Sequence, residues 1–534
     1  MRRLLVLFTL AAAGAVALTG APQAMTARPF TPAACFGATD VWTGLSDNSW
    51  GTGGNWSTNA PPGADDIAVL PTGTADNVEL QSDASICKLE MDPQTSLLVD
   101  QGKTLTAESA SISGGPAANS ATSLSGQIST GDLHVADGYT DLAEANAATS
   151  VDDSTSTFEL DGGAYFTLAD SKVTLTASGV ATLGGSGQTH FDSSSTSAAD
   201  DSAKFDVDGT AQVAGALDSN GLDVITTPTS AIDAAGNTWT LHGDAFSRFA
   251  DGTAIQSSVA GGVLAIGDQD HLLLSGTTTI AAGATLQLQS AGLITDGRYF
   301  ESDGAGSGTL AGPGAFAWTA GEFSGNITLA KNLTTQAQGS AVRHVSDPNL
   351  FGATVLTNAG GFTLQGGSVI VDGSKDSFVN EGNLKVTGGH FGANSSSAPP
   401  LKNMTHGHWT ITSSAGTSSA IPGGSFWNAG VLTLAPKKTL TVAHTLQQTK
   451  SGTTMFTVSS SAAASRIRAT TLRLAGTAHV SSARGYKPQH ATVAGLLKGG
   501  SRKGTFNRVV STTQRKHTAW HLKYAATHVD ALLG

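Results

Sequence analysis

Four asparagines recur at nearly constant spacing in the second half of the chain: Asn358, Asn380, Asn403 and Asn428, with gaps of 22, 23 and 25 residues. An apolar residue stands two positions before each (Leu356, Phe378, Leu401, Phe426), and a glycine follows each (Gly360, Gly382, Gly407, Gly430). The glycines lead into alternating stretches such as Phe362-Thr363-Leu364, Leu384-Lys385-Val386, Trp409-Thr410-Ile411 and Leu432-Thr433-Leu434. A repeat of this length is the period of a parallel β-solenoid with one coil per repeat. Coils stacked ~4.8 Å apart place each amide over its counterpart, where identical side chains hydrogen bond along the stack. The expected fold is therefore all-β, a right-handed parallel β-helix with Asn358, Asn380, Asn403 and Asn428 forming a structural ladder.

The rest of the chain agrees with many short strands joined by tight turns. Charged residues make up only 13% and glycine accounts for 65 of 534 residues. Low charge combined with regularly placed apolar residues argues against disorder. Alternating segments such as Phe158-Glu159-Leu160, Lys172-Val173-Thr174-Leu175 and Thr285-Leu286-Gln287-Leu288 lie between Gly, Asp and Ser turns. No long 3.6-residue apolar stripe is present downstream of residue 24, so little helix is expected. The predicted organisation is a signal peptide over 1–24, a flexible stretch over 25–37 and a Trp-rich N-terminal cap over 38–75. A parallel β-helix follows over 76–480, and a basic strand cap over 481–534. At about 23 residues per coil the helix would have roughly 17 coils and a length of about 80 Å.

The signal is read from Met1-Arg2-Arg3, the apolar run Leu4 to Leu18 and the small residues near Ala24, with Ala21 and Ala27 as alternative cleavage points. No later apolar segment is long enough to span a membrane. The mature chain is therefore expected to be secreted and extracellular, associated with the cell surface at most. Its only cysteines are Cys35 and Cys87. In an exported chain these point to one disulfide, the alternative being two buried thiols. Trp42, Trp50 and Trp56 cluster just after Cys35 and would cover an otherwise open end of the solenoid.

Catalytic solenoids need carboxyls that converge, about 5–10 Å apart for sugar hydrolysis. Asp65-Asp66, Asp152-Asp153, Asp200-Asp201 and Asp268-Gln269-Asp270-His271 are the acidic groups to weigh. Neighbours on a strand point to opposite faces, so only Asp268 and Asp270 would share one, with His271 at the coil edge. Aspartates also serve as turn and cap acceptors, which is the simpler role for all of them. His406 and His408 have same-face spacing for a metal, but no third ligand is evident, and surface histidines are the better fit. Phe316, Trp318, Phe323, Phe391, Trp409 and Trp427 would either line a sugar-binding face or stack inside the coils. No nucleophile elbow, phosphate loop or dinucleotide fingerprint is recognisable. No cofactor is expected, and no nucleic-acid partner.

The opening Trp42…Asn55-Trp56…Pro62…Asp65-Asp66, the segment Gly308 to Gly325, the asparagine–glycine rungs and the closing Leu446-Gln447-Gln448…Tyr486…Phe506…Tyr524 carry a resemblance. Together they resemble secreted bacterial β-solenoid proteins of autotransporter-passenger or adhesin type, over roughly residues 40–71 and 300–534. A C-terminal membrane barrel and a Leu-Pro-x-Thr-Gly sorting signal are not recognisable, so neither self-secretion nor covalent wall anchoring is implied. The resemblance implies a non-catalytic, structural or adhesin-like protein at or near the cell surface. The alternative is a carbohydrate-active enzyme, a polysaccharide lyase or glycoside hydrolase, or a sugar-binding module on the same scaffold. Charge adds a partner expectation. Residues 401–534 carry 16 Lys plus Arg against the single acid Asp530, while residues 1–400 carry 13 bases against 40 acids. The basic region would engage an anionic cell-wall polymer or polysaccharide, or serve only as a solvated surface.

Overall fold

The computed structural model describes residues 34–72, 78–143, 151–168, 173–193, 203–296, 307–346, 353–393, 401–412, 419–421 and 424–534. The predicted signal peptide, most of the stretch 25–37 and the pair Asp200-Asp201 lie outside the described residues. What is described is nearly all β, a parallel solenoid of about 16 turns. Among the described residues, helix is confined to two three-residue 3-10 segments, Gly53–Asn55 and Ala118–Ser120.

In the regular region each coil contributes three four-residue strands, for example Val355–Asn358, Gly361–Leu364 and Ser368–Val371. The next coil repeats them as Ser377–Asn380, Asn383–Val386 and His390–Ala393, in register and parallel. First and third strands belong to one 32-stranded sheet wrapping two sides of the coil, and the second strands form a 19-stranded stack on the remaining side. At ~4.8 Å per rung, 16 turns make a rod of roughly 77 Å.

Alternation along each strand fills the interior. Ile327, Leu356, Phe378, Leu401, Phe426, Leu446 and Leu472 occupy one register column, and none is more than 1% exposed. Phe316, Trp318, Phe323, Phe391 and Trp409 are inside as well, packed edge to face; Trp409 contacts Phe391 and Phe426 at 4.9 Å between ring centroids. Only Trp427 of that group points outward, half-buried.

Both ends of the stack are covered by chain. At the first coil, Thr39–Val41 pairs with Ile67–Leu70, and Asn48–Trp50 hydrogen bonds to Glu79 on the free edge of the second side. Trp42, Trp50 and Trp56 interlock at ring separations of 5.1 and 4.8 Å. Asn55 organises their loop, its Oδ1 accepting Ser46 N–H and Asp47 N–H at 2.8 and 3.0 Å. One disulfide, Cys35–Cys87, ties the segment entering this region to the strand Ala84–Met91. At the far end the parallel pattern gives way to an antiparallel hairpin: His528–Leu533 runs against both Ala491–Gly504 and Trp520–Tyr524. Arg502 occupies the column that holds Leu472 one coil earlier; its guanidinium lies 5.3 Å from the Tyr524 ring and its Nε donates to Ala525 O at 2.7 Å.

Candidate functional site

The asparagine corner is a continuous amide chain. Nδ2 of Asn358, Asn380 and Asn403 donates to Oδ1 of the next asparagine at 2.8, 2.8 and 2.7 Å. Asn428 passes the chain on to Gln448 Oε1 at 2.7 Å. All four asparagines are 0% exposed, and Gln448 is 3% exposed. The glycines after them are required by the close stacking: a Cβ on Gly407 would lie 2.3 Å from Asn380 O, and one on Gly430 would lie 2.2 Å from Met404 O. Over this corner opens a cleft of about 520 Å³, whose rim carries Lys331, Glu381, Asn383, His406 and His408. His406 lies in the turn and His408 begins the strand His408–Ile411; both are exposed. Among the described residues no three His, Cys, Asp or Glu side chains are grouped to hold a metal ion.

Asp268 and Asp270 do not converge. The chain turns between the strands Gly262–Ile266 and His271–Ser275, with Asp268 and Gln269 at φ 29° and 72°. The two-residue spacing therefore spans a turn rather than a strand, leaving Asp268 exposed and Asp270 0% exposed. Asp270 Oδ1 accepts His271 N–H at 2.9 Å. Other corner carboxylates act alike: Asp66 accepts Ala38 N–H, Asp153 accepts Ile128 N–H, Asp223 accepts Phe246 N–H and Asp376 accepts Thr354 N–H, all at 2.6–2.8 Å. These acceptors of main-chain N–H groups, buried at Asp153, Asp223, Asp270 and Asp376, hold coil corners together but do not reach a polymer substrate.

Burial, with Asp223 and Asp244 nearby, holds the Asp270 carboxyl well above its ordinary value of 3.8. Burial also lowers His271, against the pull of Asp244. Because the folded-state value of Asp270 is raised, the native chain keeps a proton that the unfolded chain releases. Its contribution is therefore greatest at acid pH and is lost as pH rises from about 4 towards the folded value. Asp270→Asn mimics the protonated acid and keeps the acceptor for His271 N–H. In urea unfolding it should exceed the parent at pH 8, on the order of 1–3 kcal/mol, and converge with it at pH 4. A variant less stable than the parent at pH 8 would contradict this reading of the corner.

Two outward-facing clusters escaped the sequence reading. On the second side Tyr139, Tyr165 and His190 stack in one column at 4.6 and 4.5 Å, rings within 14° of parallel. Next to them Asp218 Oδ2 lies 3.7 Å from His190 Nδ1 and 3.0 Å from His242 Nε2. Burial raises the neighbouring Asp192, whose Oδ1 accepts Asn220 N–H at 2.9 Å. The stacked rings spend their faces on one another and offer mainly edges to solvent. On the large sheet His344 Nδ1 meets Asp372 Oδ2 at 2.7 Å, and that hydrogen bond raises His344; burial raises nearby Glu322, to which Ser346 donates.

The C-terminal coils differ from all of these. Exposed Arg468, Arg473, Lys498 and Lys503 project from the large sheet, and among the described residues none has a carboxylate partner. No helix among the described residues is long and apolar enough to cross a membrane. No family model, curated protein or solved structure matches the chain.

Proposed function

We propose that this is a secreted, non-catalytic β-solenoid with a structural or adhesin-like role at or near the cell surface. Residues 1–24 act as its export signal, 38–75 and 481–534 cap the helix of 76–480, and the region 401–534 engages an anionic wall polymer or polysaccharide. The observation that carries this reading is the contrast between the two kinds of charge. Carboxylates are used as corner acceptors inside the stack, whereas Arg468, Arg473, Lys498 and Lys503 stand exposed with no carboxylate partner among the described residues. The disulfide supports export, since such bonds persist in oxidising compartments.

The carbohydrate-active reading draws on one observation, the raised Asp192 close to Asp218 and two histidines on an accessible face. Incubating the purified chain with soluble acidic and neutral polysaccharides separates the two. The adhesin-like reading expects retention of acidic polymer with no shortening of any chain. Sustained depolymerisation that disappears in Asp218→Asn would overturn it.

A further inference from the structure

We propose that the surface engaging the polymer is a single column on the outer side of the large sheet, and that its ligand is an acidic polysaccharide rather than a simple polyanion. The inference rests on the polymer-binding reading given above. Lys402, Trp427, Gln447, Arg473 and Lys503 are register partners on five successive rungs, one directly above the next. At ~4.8 Å per rung the column spans about 19 Å along the rod axis. In order it presents a cation, a half-exposed indole, an amide and two cations. An indole offers a flat apolar surface to a sugar ring and an amide pairs with hydroxyls, while Arg and Lys take carboxylates or sulfates.

The two cations at the end of the column are a like-charge pair, and a second such pair, Arg468 beside Lys498, lies on the same two rungs. Like charges directly opposite one another destabilise a sheet. Among the described residues no intramolecular carboxylate relieves either pair. Asp530, the only acid of residues 401–534, is occupied by Gly495 N–H at 2.7 Å and lies 3.6 Å from His528 Nε2. Between the pairs, Leu472 and Arg502 occupy the inward column, and the small residues Thr470, Thr471, Gly500 and Ser501 leave the cationic heads accessible. A ligand that places acid groups between paired rungs and a sugar ring on Trp427 removes the repulsion and covers the indole together.

The test uses the full mature chain with polygalacturonate, inorganic polyphosphate and uncharged dextran as probes, measured by titration calorimetry across ionic strength. Polygalacturonate should bind with a steep salt dependence, polyphosphate more weakly, and dextran not measurably. Arg473→Gln with Lys503→Gln should weaken polygalacturonate binding about tenfold or more and flatten its salt slope. Trp427→Ala should weaken polygalacturonate several-fold, leave its salt slope unchanged and leave polyphosphate unaffected. A control removes exposed cations outside this column, Arg508→Gln with Arg515→Gln and Lys516→Gln, and should bind like the parent. Retention of the parent melting profile checks folding of each variant.

Failure of the chain to bind any acidic polymer would remove the underlying reading itself. Binding abolished by the control substitutions but not by the column substitutions would overturn the site and leave that reading standing. Equal affinity for polyphosphate, indifferent to Trp427, would overturn the sugar class. Loss of a self-associated species in the Arg473/Lys503 variant, with no loss of polymer binding, would assign the face to a second copy of the chain and likewise overturn the proposal.

Discussion

Asn380→Ala should lower the unfolding free energy by about 3–5 kcal/mol, since two buried groups lose their partners at roughly 1–3 kcal/mol each and a cavity is added. Asn358 Nδ2 would lose its acceptor at 2.8 Å, and Asn403 Oδ1 its donor at 2.8 Å, both inside a corner with 0% exposure. Asn380→Leu fills the cavity that alanine leaves, because leucine has the branched outline of asparagine at a larger volume, but it leaves the same two groups orphaned. It should therefore be destabilised almost as much as the alanine variant. Asn383→Ala, at an exposed position three residues away, should change stability by less than about 0.5 kcal/mol. Urea unfolding followed by far-ultraviolet circular dichroism measures all three. A leucine variant as stable as the parent would mean that shape, not the amide chain, holds this corner.

The second large effect is expected at the opposite end of the rod. Cys35–Cys87 closes a segment with a sequence separation of 52. In the chain-entropy description, removing a cross-link over a loop of that length costs about 4 kcal/mol. The loss should be local, because each coil of a solenoid contacts only its neighbours and the ends open independently of the middle. In Cys35→Ser/Cys87→Ser, amides of Thr39–Val41 and Ile67–Leu70 should exchange far faster, while those of Phe426–Asn428 keep the parent rate. Unchanged exchange in the first two strands would show that the tryptophan cluster closes this end without help from the disulfide.

The repeat was legible because it is written in one residue type at one place in the coil. Asn358 to Asn428 align directly, and the apolar residues two positions earlier, Leu356, Phe378, Leu401 and Phe426, mark the inward column, which the structure extends back to Ile327. The ladder's last member was missed because Gln448 follows after only 20 residues and differs from asparagine, although its glycine, Gly452, stands four positions on just as Gly407 does after Asn403. The same apolar residue two positions earlier, Leu446, was the signal that could have found it. Arg343 was illegible. Alternation puts Val342 inside, yet Val342 is 47% exposed and Arg343 is 0% exposed. Val345 holds the inward column beside Val371, which forces Arg343 inward two residues earlier beside Val369. There the guanidinium bonds to the turn carbonyls of Trp318, Gln338, Ala341 and Gly366, the last at 3.1 Å. That task depends on where three coils turn, which no local pattern encodes. The Asp268–Asp270 spacing misled for a related reason, since its face-sharing logic holds only on a strand. Tyr139, Tyr165 and His190 stand 26 and 25 residues apart, as evenly as the ladder, but went unnoticed because only two of the three share a residue type and no common flanking residues mark them.

A double-mutant cycle on Asn380 and Asn403, run beside one on Asn358 and Asn428, tests most directly whether successive coils lie amide over amide. Each single substitution to alanine orphans groups on both sides, whereas removing two neighbours together orphans only the outer ones. The neighbouring pair should therefore be non-additive by about 2 kcal/mol, and the pair three rungs apart additive within about 0.5 kcal/mol. Additivity in both cycles would mean that Asn380 and Asn403 do not touch, and the stacked rod on which the cationic column depends would be wrong.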